Sequence, residues 1–500
     1  MTKLQNAIVK DADPASRERE PWRPHVHFTP RKNWINDPNG LVYFEGEYHL
    51  FYQYNPHGKD WGHMSWGHAV SPDLIHWTHL PVAIPEQDYM VFSGCALVDW
   101  DNTSGLGDGK KPPLLAYFTA HHHRGEERQT QCLAYSHDRG RTWQMYAGNP
   151  LIDLDLDHFR DPSVFWHGPS RAWIMVVALP RAHQVQIYRS VNLTNWSLAS
   201  SFGPAGATGG QWECPALMEV PDEAGSGAMR WVLKVDVDLD LVGEGSGAQY
   251  FVGDFDGHIF TADELGGEPI AQIADFGSDF YAAIPWSDLP EAHTHPVWIG
   301  WMSNHQTGRY YPTDPWRGAM TIPRELFVFQ EAGQWRLGQR PVGFGRAEKE
   351  LLARKASFSV EPGEALYVMT LSEGAAANLQ FNIDTTEGGV AELQLADESG
   401  GALNIIWDTT TRQIAIDRGH GWFHASPVVH ARRADPIESA GGQVRFQVLV
   451  DASSIEIFVN GGRRVLTQSI FPKGDLAISF AASTQTVRVQ DFEAKRLSVP

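Results

Sequence analysis

An all-β chain in two parts, a five-bladed β-propeller followed by a C-terminal β-sandwich, is what the sequence predicts. Three observations carry that prediction. Short runs rich in β-branched and aromatic residues, such as YHLFYQY (48–54), LLAYFT (114–119), WIMVVAL (173–179) and YFVGDF (250–255), alternate with Gly, Pro, Asn and Asp clusters. A turn motif recurs: SPDLIHW (71–77), SHDRGRTW (136–143) and SVNLTNW (190–196) each follow a strand-like run and close on Trp. Near residue 345 the texture changes to apolar–polar alternation in ALNIIWD, RQIAID, VRFQVLVD and SSIEIFVNGG, with Gly-rich turns between.

The turn motifs start 65 and 54 residues apart, counted from Ser71 to Ser136 to Ser190, and a DFDG turn (254–257) continues the series. Repeats of roughly 50–60 residues with about four strands each are propeller blades, and the length from about 25 to about 340 holds five. The expected division is a polar N-terminal extension (1–24), the propeller (25–342), a linker (343–356) and the sandwich (357–500). The linker contains RAEKELLARK (346–355), the best short helical stretch of the chain. The sandwich offers no clustered acid, His or Cys chemistry, so an accessory role is expected of it.

Composition narrows the partners. Hydrophobic content of 42% with 20% charged residues is that of a soluble globular chain. A formal charge of −20 without a basic cluster argues against nucleic acid and anionic membrane and fits a small neutral ligand. No apolar run approaches the ~20 residues of a membrane span. Cys95, Cys132 and Cys214 cannot make a disulfide framework, and residues 1–22 lack an apolar leader core, so a cytoplasmic location is expected. Nineteen Trp residues can fill β cores or stack on sugar rings.

Three acidic motifs stand among apolar or Gly/Pro residues rather than among other charges. WINDPNG (34–40) sets Asp37 in a turn, FRDP (159–162) sets Arg160 beside Asp161, and WECP (212–215) sets Glu213 between Trp212 and Cys214. The first two, taken alone, are ordinary turns. Glu213 differs, because flanking Trp and Cys should desolvate the carboxyl and raise its pKa, as a general acid near neutral pH requires. In a propeller, one strand of each blade lines the central axis, so these distant residues can converge. One ionised and one protonated carboxyl are the minimum for cleaving a glycosidic bond.

WINDPNG, FRDP and WECP, in that order, resemble the signature set of glycoside hydrolase family 32, the invertases, levanases and inulinases. FYQYNP (51–56), WGHAVSPDLIHW (66–77), FSG (92–94), GSGAQYFVGDFDG (245–257), DFYAA (279–283), IGWMSN (299–304), PTDPWRGAMTIPREL (312–326) and LVDASSIEIFVNGG extend the resemblance to the chain's end. The GWMSN, DPWR and IPREL run looks most like bacterial levanases and exo-inulinases. The resemblance implies a retaining β-fructofuranosidase with Asp37 as nucleophile, Glu213 as acid/base and Asp161 binding fructose hydroxyls beside Arg160. It nominates Asn36, Gln53, Trp61, Phe92, Ser93, Tyr281 and Trp316 as walls of the terminal fructose pocket. It implies no metal or organic cofactor. A pocket at the end of a propeller axis is closed at its bottom, so exo cleavage of sucrose, fructo-oligosaccharides, levan or inulin is expected, and the resemblance points the same way.

Two departures from the family pattern stand out. Cys95 replaces a hydroxyl after FSG, and His305 stands where an aromatic often follows the Trp-Met-Ser-Asn run, on the expected leaving-group side. The His121–His123 run reads as a solvated loop rather than a metal site. Rival readings are a fructosyltransferase using the same residues, a non-catalytic fructan-binding propeller, and a sialidase. The last is suggested only by the Asp-box form of SHDRGRTW, without the arginine cluster such enzymes need.

Overall fold

The computed structural model describes residues 20–241, 245–384, 388–418, 422, 434–438 and 442–498. Residues 1–19 of the expected extension therefore lie outside the described residues. Five antiparallel sheets form the first part. Blade I takes strands Asn33–Phe44, Glu47–Asn55, Ser65–Ser71 and Thr78–Ile84, and blade II takes Met90–Val98, Leu114–His122, Arg128–Ser136 and Gln144–Met145. Blade III comprises Arg160–His167, Ala172–Leu179, Gln184–Ser190 and Ser197–Phe202. Blade IV comprises Trp212–Pro221, Met229–Val237, Gly247–Phe255 and Phe260–Ala262, and blade V comprises Tyr281–Pro285, Val297–Trp301, Arg324–Glu331 and Gln334–Pro341. The first strand of each blade packs against the first strands of its neighbours, which places those five strands around the axis.

The recurring turns now have a physical role. Each lies between the third and fourth strand of its blade, where Ser71 caps Asp73, Ser136 caps Asp138 and Ser190 caps Asn192. The closing indoles of Trp143 and Trp196 donate back to the turn at Gly140 and Leu193. In blade IV, DFDG does the same work through Asp256, which accepts from the backbone of His258 and Ile259. The ring closes with a short exchanged strand, Trp316–Arg317 from the blade V segment, which pairs in parallel with Asn33–Trp34 of blade I. Backbone bonds Tyr43 N to Ser287 O and Ser287 N to Leu41 O, each 3.0 Å, join blade I to blade V.

Between blades the cores are separate apolar layers, such as Val42, Phe51, Trp66, Val91 and Phe118 between I and II. The second part has a six-stranded and a five-stranded sheet enclosing one large core that includes Phe381, Trp407, Phe446, Phe480 and Phe492.

The expected helical linker is overturned. Phe344–Ala347 makes one 3₁₀ turn, and Glu348–Val360 is a strand pairing with Val487–Leu497. It forms the outer edge of the six-stranded sheet and is largely exposed. Its charges therefore blunt an edge strand instead of solvating a helix.

Candidate active site

All five first strands carry the same irregularity at the same end. Register shifts set two residues against one at Asn36–Asp37 opposite Gln53, and at Phe92–Ser93 opposite Thr119. The same occurs at Asp161–Pro162 opposite Val177, Cys214–Pro215 opposite Val235, and Ala282–Ala283 opposite Gly300. A bulge bends its strand and re-aims side chains, and it is one of the few sheet positions that tolerates proline. Arg160, Glu213 and Tyr281 immediately precede their bulges. Asp161, Cys214 and Ala282 take left-handed backbone, with φ of 67°, 46° and 54°, which costs ~1–3 kcal/mol at a non-glycine residue. Gly94 follows the second bulge, where any side chain would collide with the Tyr117 carbonyl.

These bulges floor a pocket of about 690 Å³, within the ~300–1,000 Å³ usual for small-molecule sites. Beneath the floor lies a small void of about 10 Å³ whose walls include Pro38, Pro162 and Pro215. Asp37 and Glu213 are partly exposed to the pocket, while Asp161 is buried. Ser93 Oγ donates to Asp37 Oδ2 at 2.5 Å, Asn36 Nδ2 to Oδ1 at 3.1 Å, and Cys214 Sγ to Oδ2 at 3.6 Å. The Cys214 backbone N–H donates to Asp161 Oδ2 at 2.9 Å. Arg160 donates twice to Glu213 Oε1, at 3.0 and 2.8 Å, and the Tyr281 hydroxyl donates to Oε2 at 2.5 Å.

The electrostatics correct one expectation. Burial does raise the Glu213 carboxyl, but the charges of Arg160 and His305 and the Tyr281 hydroxyl outweigh it and hold the group at about 2. Burial, with the charges of Glu213 and Asp37, instead pushes Asp161 up to about 7 despite Arg160. Asp37 is raised too, by burial first and by Glu213 next, against the hydrogen bond from Ser93. Protons in this cluster thus favour the Asp37–Asp161 side.

Of the pocket walls nominated from sequence, Asn36, Gln53, Trp61, Phe92, Ser93 and Arg160 line the cavity, with Trp61 53% exposed at the mouth. Tyr281 does not line it; it is buried behind Glu213, to which its hydroxyl donates. Trp316 does not line it either. Its strand pairs in parallel with Asn33–Trp34, and its ring is buried against Met302 and Ala319 with Arg23 over its face at 5.1 Å. The histidine run is no solvated loop: His121 and His122 are the last two residues of a blade II strand, and His121 stacks on Phe92 at 4.4 Å and faces the pocket. Among the described residues no three His, Cys, Asp or Glu side chains are grouped to hold a metal. Cys95 points away from the sugar side, accepting from Val164 N at 3.1 Å beneath the floor. His305 lies 3.7 Å from Glu213 Oε2.

Sequence reasoning missed Trp34, Gln129, His158, Trp301, Asn304 and Arg309 on the walls. It also missed Lys234 and Asp236, an ion pair with no exposed side-chain surface. Lys234 Nζ donates to Cys214 O at 3.0 Å, and Asp236, opposite Glu213 in register, is pushed up to about 7 by burial. A signal existed: in VLKVDV two opposite charges at i and i+2 share one face of an otherwise apolar strand.

Three carboxyl groups gathered on the floor of an aromatic-walled pocket, with an arginine between two of them, supply the groups that acid-assisted displacement at an acetal carbon uses. The class is glycoside hydrolase. Comparison with known proteins carries this further. The glycosyl hydrolases family 32 N-terminal domain matches residues 27–341, and the family's C-terminal domain matches 347–496. A levanase from Bacillus subtilis (strain 168) is 41% identical over 510 residues, covering 98% of this chain and 72% of that protein. An extracellular exo-inulinase from Aspergillus ficuum is 38% identical, covering 94% of each. The crystal structure of exo-inulinase from Aspergillus awamori superposes with a TM-score of 0.88 at 35% identity, covering 96% of this chain and 99% of that one. The β-fructofuranosidase of Schwanniomyces occidentalis complexed with fructosyl-erythritol gives 0.81 at 29%, covering 94% and 97%. The chain belongs to glycosyl hydrolase family 32.

Proposed function

We propose that this protein is a retaining, exo-acting β-fructofuranosidase that releases terminal fructosyl units from sucrose, fructo-oligosaccharides and fructan ends. The observation that carries the reading is the bulged pocket floor, where the blade I bulge sets Asp37 against the blade IV bulge that follows Glu213. Cys214, the neighbour of Glu213, touches Asp37. That proximity suits double displacement, which wants its carboxyls only ~5–5.5 Å apart, rather than the wider gap that admits a water between them.

Asp37 attacks the anomeric carbon as Glu213 delivers its proton to the departing glycosidic oxygen, leaving a fructosyl ester on Asp37. Glu213, now a carboxylate, takes a proton from water, whose oxygen attacks the same carbon and frees Asp37 and β-fructose. Arg160 and Tyr281 keep Glu213 ionised until sugar hydroxyls compete for them, and Glu213 then takes a proton from solvent water before the first displacement. Asp161 accepts from fructose hydroxyls and strengthens its hold as positive charge develops. The relatives named levanase, exo-inulinase and β-fructofuranosidase support the fructosyl specificity. Three buried free thiols support work in a reducing compartment.

A product time course tests the reading. On inulin or levan, free fructose should appear first and dominate throughout; early tri- and tetrasaccharides would show endo cleavage. On concentrated sucrose, less fructose than glucose would reveal transfer to sugar instead of water.

A further inference from the structure

The sandwich meets the pocket loop through a buried carboxylate, beside a direct ring contact of Tyr311 with Phe471 at 5.0 Å. Asp279 lies at the entrance to blade V and is fully buried. Its Oδ1 accepts from Asn304 Nδ2 at 2.6 Å and from the Tyr311 hydroxyl at 2.7 Å, which are the two ends of the loop carrying His305 and Arg309 to the pocket wall. Its Oδ2 accepts from Gln468 Nε2 and Ser469 N, both at 2.7 Å, on the last strand of the six-stranded sandwich sheet, Arg464–Ser469. Segment 275–279 runs along that strand: Phe276 N donates to Val465 O at 2.9 Å, and Asp279 N to Thr467 O at 3.2 Å. Gly277 permits the approach, since any side chain there would strike the Thr467 backbone. The sandwich edge is thus covered by the propeller, a common way of protecting an edge strand.

The loop so held is the wall beside Glu213. Asn304 also accepts from Gln306 N and Thr307 N, fixing the turn in which His305 packs on Tyr281 at 4.7 Å and approaches Glu213 Oε2. We propose that Asp279 is a positioning residue through which the sandwich edge strand shapes the leaving-group side of the pocket. The sandwich then influences which sugar departs, beyond adding stability. This rests on the fructosidase reading of the same pocket.

The test uses the full chain with Gln468→Ala and Tyr311→Phe, each removing one donor to Asp279, and Asp279→Asn as the stronger change. Sucrose and 1-kestose are compared with an aryl β-fructofuranoside whose leaving group makes no sugar contacts. The expected result is a KM raised at least 5-fold for the sugar leaving groups, with kcat/KM on the aryl substrate changed less than 2-fold. Lowered melting temperature with the sucrose-to-aryl ratio of kcat/KM unchanged would make Asp279 merely structural and overturn the proposal. So would equal losses on all substrates. Failure of the fructosidase reading is distinguishable, because the unmodified enzyme would then cleave none of them.

Discussion

Two sets of three carboxylates sit inside this molecule, and their surroundings differ. At the junction of propeller and sandwich, Asp451, Glu456 and Asp275 meet His27 and Arg324. His27 donates to Asp451 Oδ2 at 2.8 Å and to Glu456 Oε1 at 2.7 Å, Arg324 bonds Glu456 and Asp275, and backbone N–H groups of Val26, Ile322 and Thr467 add to these. Asp451 is held at about 2 and Glu456 is lowered, because these partners overcome burial. In the pocket, Asp37, Asp161 and Glu213 are set against Arg160, and two of the three are raised. The junction acids are wholly buried and richly hydrogen-bonded, whereas in the pocket Asp161 is buried with fewer partners and Asp37 and Glu213 keep part of their surface open. A satisfied acid cluster fastens domains, and an under-satisfied one retains the proton affinity that catalysis uses.

Removing acids from the two sets should break the comparison open. Asp37→Ala should lower kcat by at least ~10⁴-fold on every fructoside while leaving the melting temperature unchanged or higher, since it removes an under-compensated charge. Glu213→Ala should recover partly on substrates whose leaving groups need no protonation. More than a few per cent residual activity in Asp37→Ala would remove it as nucleophile. Glu456→Gln should do the opposite, costing ~3–5 kcal/mol of stability because Arg324 and His27 lose their partner, with kcat of the folded enzyme preserved. Equilibrium denaturation alongside steady-state kinetics decides both.

A gentler test uses pH. Burial alone would depress His27, but its bonds to Asp451 and Glu456 raise it from 6.5 to about 9 in the folded chain. The protonated form is therefore favoured by folding. Its stabilisation is fully present below pH 6.5 and is lost as pH rises through about 9, on the order of 3 kcal/mol. Asp451 has the opposite sign: its contribution is present above its ordinary value and is lost as pH falls toward 2. Melting curves between pH 6 and 10 should decline more steeply for the unmodified enzyme than for His27→Gln. Parallel declines would take His27 out of the junction's balance.

The fold was legible because its signals are local. The Ser-x-Asp and Ser-x-Asn turns cap themselves and would look alike in any blade, and Asp-Pro or Cys-Pro in a strand-like run marks a bulge. What failed depended on distant partners. Glu213 has hydrophobic neighbours in sequence, yet Arg160, 53 positions earlier, sets its proton affinity. Trp316 reads as a pocket aromatic until Arg23 covers it. RAEKELLARK has helical composition, but pairing with Val487–Leu497 makes it a strand. Asp279 is one acid in DFYAA, and only the sandwich reveals its function.

The five bulges have a consequence for how such a site can change. They stand at positions that the ladder already leaves irregular, so their side chains are not fixed by the alternation of a regular strand. Asp37, Ser93, Asp161, Cys214 and Ala282 all stand directly before or within that irregular stretch, yet span acid, hydroxyl, thiol and methyl. Of these, Asp37, Ser93 and Asp161 line the pocket while Cys214 and Ala282 are buried, so Ser93 is the position where new chemistry reaches the sugar while the blades, and the seams between them, keep their present form.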